Sequence, residues 1–389
     1  MKFSKILFIT CMPLEAPRSA SKAFMGVLLD KYPDLFAWFS LRAPEPETPN
    51  PFDIPYGFTE SFQRLTRYPH LKQFIKLFPW AWYAGKKAAD FGRTHQVQVV
   101  LADLAFEAVV AGRVAARILG VPLLSMVHDD PVNRIRVKNY PSWLVNLYHR
   151  EFEKTLRTSQ SCAVISDYMG EIYQKRYGVK TITLFPGVEK EKCLAPRTLD
   201  SKKSPIIIGS VGSINSKRNW NILVESVNLL NQRHGKGKFR ILHLGRPSRD
   251  LLITEDVEAT GWLPEKEFES QLRRIDIGFL NWDFAPEMAE TRRTSLPLKI
   301  TTYIQAQVPM LALGPIDSTV VRYLNDYDCG LACTKPETKS FADQLENLVF
   351  NGDLFNSALN GVIAQKAIFS RQVFFKCFEQ FVQPISLII

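Results

Sequence analysis

Lys299 stands at the head of a helix-like stretch in SLPLKITTYIQAQVPMLALGP, residues 295–315. That end of a helix carries partial positive charge, so a lysine there is unfavourable unless an anion sits nearby. The first free amides of the helix point at the same place, and Ser295, Leu296 and Pro297 lead the chain into it. A second cation, Arg218, follows the apolar run SPIIIGSV in the loop GSINSKRNW, residues 212–220. Gly212 lets backbone approach a ligand, Ser213 follows it, and an arginine can hold phosphate oxygens bidentately. Taken alone this loop reads more readily as a solvated loop with two cations. With Lys299, on a loop after a different strand of the same domain, it predicts one crevice where a diphosphate is held from two sides. The GK[ST] ending of a P-loop is absent. No G-x-G-x-x-G follows the first strand of either half, which disfavours a nicotinamide dehydrogenase.

A third polar cluster, His128-Asp129-Asp130-Pro131, follows the run LLSMV. His128 suits a sugar hydroxyl or a reaction centre, while Asp129 or Asp130 suits the cap of a following turn; the two readings are compatible. Three consecutive residues cannot all point into one metal shell, and Asp326-Tyr327-Asp328 follows a helix rather than a strand, which reads as a turn. No metal or other cofactor is expected. The six cysteines (Cys11, Cys162, Cys193, Cys329, Cys333, Cys377) show no C-x-x-C spacing. They read as reduced thiols of a cytosolic protein.

These residues need strands to carry them. KILFIT, VQVVLA, PLLSMVH, SCAVIS and TITLF are predicted strands in the first half, with helices such as FEAVVAGRVAARILG between them, the last closed by Gly120. The apolar runs do not alternate with polar residues, which fits strands buried on both faces of a parallel sheet. EKEKCLAPRTLDSKKSP, residues 189–205, has no apolar period and reads as a linker. The βα pattern then restarts: SPIIIGSVGS, FRILHLG, DIGFLNW and, after the Lys299 segment, GLAC read as strands. The fold class is therefore α/β, with two doubly wound Rossmann-like domains, 1–190 and 205–367, facing a central cleft. A helical tail, about 368–389 with a break near Ser370, is free to pack back on the first domain. In such sheets ligands bind beyond the carboxyl ends of the strands.

Bulk properties set the partners. A net charge of +10 over 389 residues suits either an anionic partner or a solvated basic surface. With 46% hydrophobic residues there is ample core. No stretch approaches the roughly 20 apolar residues of a membrane-spanning helix. The N-terminal apolar run ends at Pro13 and reads as a buried first strand rather than a signal peptide. The segment 61–93 holds seven Lys or Arg among Phe, Trp and Tyr. It suits either an anionic membrane surface or lipid-phosphate acceptor, or a plain helix pair whose aromatics are core; NRIRVKNYPSWLVNLYHR adds basic residues nearby. No nucleic-acid-binding module is recognisable. The expected location is cytoplasmic, with a peripheral seat on the inner membrane face as the extension of that reading.

The order of motifs resembles the GT-B glycosyltransferases, in particular glycosyltransferase family 4, over nearly the whole chain. KILFIT is similar to the family's first strand, LLSMVHDD to the strand carrying its active-site histidine, and IGSVGSINSKRNWNILVESVNLL to the opening of its nucleotide-binding domain. ATGWLPEKEFESQLRRIDIGFLNW and SLPLKITTYIQAQVPMLAL resemble its two later segments. The resemblance implies a retaining, metal-independent transfer of sugar from a nucleoside-diphosphate sugar to a glycan or lipid-linked acceptor. It puts His128 beside the transferred sugar and Arg218 and Lys299 on the diphosphate, with the turn at Ser295–Pro297 supplying amides. The loop holding Ser19 and Ser21 lies close to donor and acceptor. The sequence departs from the family at two glutamates, which read Thr294 and Thr302; Thr302 keeps a hydrogen bond for the ribose, and Glu287 or Glu290 is the nearest replacement. An arginine reads Ser213 and a glycine reads Gln307. These departures keep two rivals open: a non-catalytic GT-B subunit of a transferase complex, and a sugar-nucleotide epimerase of the same fold.

Overall fold

The computed structural model describes residues 4–11, 20–41, 68–200, 202, 204–214, 216–247 and 251–383. Ser19 lies outside them, as do residues 61–67 of the basic aromatic segment; Ser21 falls on the backbone of the first helix, with its side chain not described. The chain divides into two units, residues 1–185 with 375–389, and residues 186–374.

In the first unit the described elements are β1 (Ile6–Thr10), α1 (Ala20–Lys31), β2 (Phe36–Ser40), α2 (Pro69–Ile75), a π turn (Lys76–Trp80), α3 (Ala81–Thr94), β3 (Val99–Asp103), α4 (Ala108–Leu119), β4 (Leu123–Val127), α5 (Pro131–Val137), α6 (Ser142–Thr158), β5 (Ser161–Val164), α7 (Asp167–Tyr177) and β6 (Thr181–Thr183). The strands are ordered β2-β1-β3-β4-β5-β6, every pair parallel. Strands β1 to β4 are buried at every residue, as continuous apolar runs between two helix layers require. α3 lies close on α4 because its contact stripe is Gly and Ala: a Cβ on Gly85 would stand 2.7 Å from the Ala111 carbonyl oxygen.

The second unit repeats the plan with β7 (Ile206–Val211), α8 (Lys217–His234), β8 (Phe239–Leu244), β9 (Val257–Ala259), α9 (Glu265–Leu272), β10 (Ile277–Asn281), α10 (Ala289–Thr294), α11 (Lys299–Ala306), β11 (Met310–Leu313), α12 (Thr319–Tyr327), β12 (Gly330–Cys333), α13 (Thr338–Phe350) and α14 (Gly352–Ile368). Its order is β12-β11-β10-β7-β8-β9, again parallel throughout. The doubly wound α/β class read from the sequence is thus the observed one. Two strands were not legible, β2 and β9. The supposed linker is packed structure: Leu194 N–H donates to the Gln305 carbonyl at 2.8 Å, and Arg197 Nε to the Ile275 carbonyl at 3.2 Å. The helical tail breaks at Ser370, and α15 (Arg371–Val382) follows. Glu379 on α15 accepts from the Tyr32 hydroxyl at 2.5 Å and from Lys31 at 3.2 Å.

One contact sets where α11 can lie. Tyr303 is fully buried, and its hydroxyl proton is shared between the carbonyls of Gly209 on β7 at 2.8 Å and Phe279 on β10 at 2.9 Å. The ring lies flat against Gly278, where an added Cβ would fall 2.4 Å from it. Lys299 is one turn earlier on the same face of the helix. A Gly278→Ala change should lower the stability of the second unit by about 1–3 kcal/mol through overpacking, read as a lower denaturant midpoint in urea.

Candidate functional site

At the carboxyl end of β7 the chain turns at Gly212, whose φ of +75° suits glycine. Gly245, just after β8, lies so near that a Cβ on it would be 2.4 Å from the Gly212 carbonyl oxygen. The Lys299 ammonium donates to the Ser213 carbonyl at 2.7 Å, and its Cε lies 3.7 Å from where a Gly212 Cβ would be. Five residues past Ser213, exposed Arg218 stands in the first turn of α8. That helix is capped by Ser216, whose hydroxyl accepts from Asn219 N–H at 3.3 Å. Lys299 thus reaches the backbone at residues 212–213, and Arg218 follows the Ser216 cap in the first turn of α8.

The electrostatics there are unusual. Desolvation pulls Lys299 down to about 8 from its ordinary 10.5; its ammonium has one carbonyl partner and stands at the start of α11, where a cation is disfavoured by the helix dipole. His243, the penultimate residue of β8, is fully buried. Desolvation first, and then the charge of Lys299, push it down to about 4, so it is neutral and adds no repulsion. Its Nδ1 lies 3.3 Å from the Ser210 hydroxyl.

The turn before α11 is tied from behind. Thr319 Oγ1 donates to the Ser295 carbonyl at 2.5 Å and accepts from Trp282 Nε1 at 3.0 Å; the Trp282 carbonyl accepts from Asn219 at 2.9 Å. This chain of bonds joins Ser295 to the first turn of α8. The Ser295 N–H is already engaged with the Thr291 carbonyl at 2.8 Å, and Pro297 has none. The expectation that the whole turn Ser295–Pro297 offers amides is thereby corrected, since neither Ser295 nor Pro297 has a free N–H. Thr294 is fully buried, with its hydroxyl on the Glu290 carbonyl at 2.8 Å; it closes its own helix. Thr302 is half-buried on α11. Gln307, in the family's glycine position, adopts the left-handed conformation (φ 54°) that a glycine there would take more easily.

In the first unit the polar residues again gather at the strand ends. His128 follows β4 and meets the Phe24 ring of α1 edge-on at 5.3 Å. Asp130 is the N-cap of α5, accepting from Asn133 N–H at 2.8 Å and from the Tyr173 hydroxyl at 3.0 Å, so the cap reading is observed. Sequence reasoning overlooked the residues beside it. Thr10 at the end of β1 donates to Asp103 at the end of β3 at 2.9 Å. Glu107, almost fully buried, pairs with Lys76 at 2.8 Å and accepts from Cys11 Sγ at 3.1 Å. Searching every strand end for polar residues would have found Asp103 and Glu107. All six cysteines are free thiols. Among the described residues no three His, Cys, Asp or Glu form a group that could hold a metal, and no helix is long and apolar enough to cross a membrane. Asp326 is the penultimate residue of α12, and Asp328 caps that helix in the left-handed region.

Two Rossmann-like parallel-sheet units with polar strand ends are the plan of the GT-B fold, and residues 38–192 match the model of Glycosyltransferase Family 4. The resemblance read in the motifs is thereby borne out. Among solved structures the chain is similar to sucrose-phosphate synthase from Thermosynechococcus elongatus (TM-score 0.69, 12% identity, 99% of this chain and 100% of that one). It is also similar to α,α-trehalose 6-phosphate synthase from Burkholderia multivorans (0.64, 12%, 99% and 98%) and to HepE from Anabaena in complex with UDP-glucose (0.63, 14%, 98% and 99%). At these identities the likeness is one of fold. No curated protein matches in sequence.

The Lys299 shift has a consequence for stability. Its folded value lies below the unfolded one, so its penalty is complete below about pH 8 and is relieved as pH rises from there toward 10.5. Lys299→Met should therefore unfold at a higher temperature than the wild type at pH 7, with the gap closing between pH 8 and 10. Thermal unfolding followed across that range checks it; an equal or lower midpoint at pH 7 contradicts it.

Proposed function

We propose that this chain transfers a sugar from a nucleoside-diphosphate sugar to a glycan or lipid-linked acceptor in polysaccharide or glycoconjugate synthesis. The observation that carries the reading is Lys299: a desolvated ammonium at a helix start, with one carbonyl partner, beside a glycine turn. An ammonium so placed is poorly compensated by the protein alone. A diphosphate would compensate it, and the departing diphosphate is where negative charge grows as the glycosidic bond breaks. Preorganised charge of this kind is typically the largest catalytic term.

In this reading Lys299 and Arg218 take the diphosphate and do the work a divalent metal does elsewhere. Gly212 and Ser213 let it approach the backbone, and Leu296 offers an amide. Thr302 takes a ribose hydroxyl, and His128 lies by the sugar, with the loop of Ser19 and Ser21 near donor and acceptor. Configuration is retained, as the resemblance implies. The protein works in the cytoplasm, and the basic aromatic segment 61–93 seats it peripherally on an anionic membrane face, where a lipid-linked acceptor would be found. A second reading, a non-catalytic GT-B subunit, is favoured by one observation: the Thr294 hydroxyl that stands for a family glutamate is spent on its own helix.

A thermal-shift screen of UDP-, GDP-, ADP- and CMP-sugars finds the donor, since a ligand at 100 times its Kd stabilises by about 2.7 kcal/mol. UDP-glucose, present in the HepE structure, is the first to try. With the donor in hand, Lys299→Ala and Arg218→Ala should each lower transfer or donor hydrolysis by about 10²–10³ in a folded protein. Full rates in both variants would refute the assignment. Donor binding with neither transfer nor hydrolysis would favour the non-catalytic subunit, and a changed donor sugar without acceptor would identify an epimerase.

A further inference from the structure

The basic aromatic segment is not uniformly core. Leu77 and Trp80 are buried, whereas Trp82 is 51% exposed, Tyr83 45% and Trp143, on α6, 53%. Between these elements runs a trough of about 680 Å³ within the first unit. Its floor is the face of α4 formed by Val110, Val114 and Ile118, spaced four apart. One wall is Phe74, Phe78 and Trp82, also spaced four apart through α2, the π turn and α3. The rings of Phe74 and Phe78 lie 5.3 Å apart, and Phe74 reaches Trp143 at 6.0 Å.

Charge is confined to the rim. Glu151 on α6 is neutralised by Arg113, which also donates to Thr155 at 3.3 Å. Arg117 and Lys154 are exposed and line the trough, and among the described residues their side chains make no ion pair or hydrogen bond. Lys86 lies over the Trp82 ring at 4.9 Å and Lys87 over Tyr83 at 5.6 Å. An apolar channel with half-exposed tryptophans and cations at its edge has the composition of a membrane interface. The floor offers no donor or acceptor with which to read a sugar or a base. The complementary ligand is an amphiphile with an anionic head.

We propose that this trough takes an acyl chain of an anionic membrane lipid, whose phosphate is held at the rim by Arg117 and Lys154. The proposal deepens, and rests on, the peripheral membrane reading above; it does not depend on the donor assignment. The full chain is sedimented with phosphatidylglycerol vesicles and with phosphatidylcholine vesicles, then mixed with phosphatidylglycerol vesicles whose acyl chains are brominated. Binding to the anionic vesicles alone is expected. Arg117→Gln with Lys154→Gln should weaken it about 30-fold while leaving the unfolding temperature unchanged. The bromines should quench tryptophan fluorescence, and Trp82→Phe should remove a distinct part of that quenching.

Anionic-vesicle binding that ignores both rim substitutions, or quenching equal in wild type and Trp82→Phe, overturns the trough and leaves the membrane reading standing. Absence of any vesicle binding overturns both. Donor binding in the thermal-shift screen is measured apart from either.

Discussion

The placement of α11 depends on a tyrosine lying on a glycine. Tyr303 can send its hydroxyl to carbonyls on both β7 and β10 only because Gly278 presents no side chain beneath the ring. Those two bonds fix the helix in rotation as well as position. Residues four apart share a helix face, so Lys299 is delivered to the end of β7, over Gly212 and against the Ser213 carbonyl. A bulkier residue at 278 would lift the helix and take the cation with it. The remote bonds from Thr319, Trp282 and Asn219 then hold the preceding turn to the first turn of α8, where Arg218 stands. The scaffold is thus tied down where the cation stands, and the cost of that placement is a partly desolvated lysine.

The same economy appears in the first unit on a different chemistry. Its strand ends carry carboxylates rather than cations: Asp103 held by Thr10, Glu107 by Lys76 and Cys11, Asp130 by Tyr173 and Asn133. Each buried carboxylate has a named donor, as burial of charge demands. Lys76 belongs to the π turn that also shapes the wall of the apolar trough, so a single ion pair ties that wall to the strand end beside α4. π turns recur at functional sites because they displace side chains from helical register.

Most of the sheet was legible because parallel strands buried on both faces are unbroken apolar runs. β2 escaped because the run around FAWFS is too short for its period to separate strand from buried helix. β9 escaped because VEA is a half-exposed edge strand with no apolar run at all. At the site, the meeting of Lys299 with the Gly212 loop could be anticipated from cations following strands. The contact that creates it could not, since Tyr303 and Gly278 are far apart in sequence and neither is marked locally. The Ser295 amide was misread for a related reason: α10 precedes it and claims it, and AETRRT is too short to announce a helix. The linker reading of 189–205 failed because its anchors, backbone bonds to Gln305 and Gln307 and the reach of Arg197 to the Ile275 carbonyl, leave no apolar period in the sequence.

The central claim is that the lysine gains its missing counter-charge from a diphosphate. An anion beside Lys299 must raise its proton affinity, so binding above its unliganded value of about 8 must draw a proton from solvent. Calorimetric titration near pH 8.5 with the nucleoside diphosphate found in the donor screen, in two buffers of different ionisation enthalpy, counts that proton. Net uptake by the wild type and none by Lys299→Arg is the expected result; tight binding by the wild type with no proton taken up contradicts it.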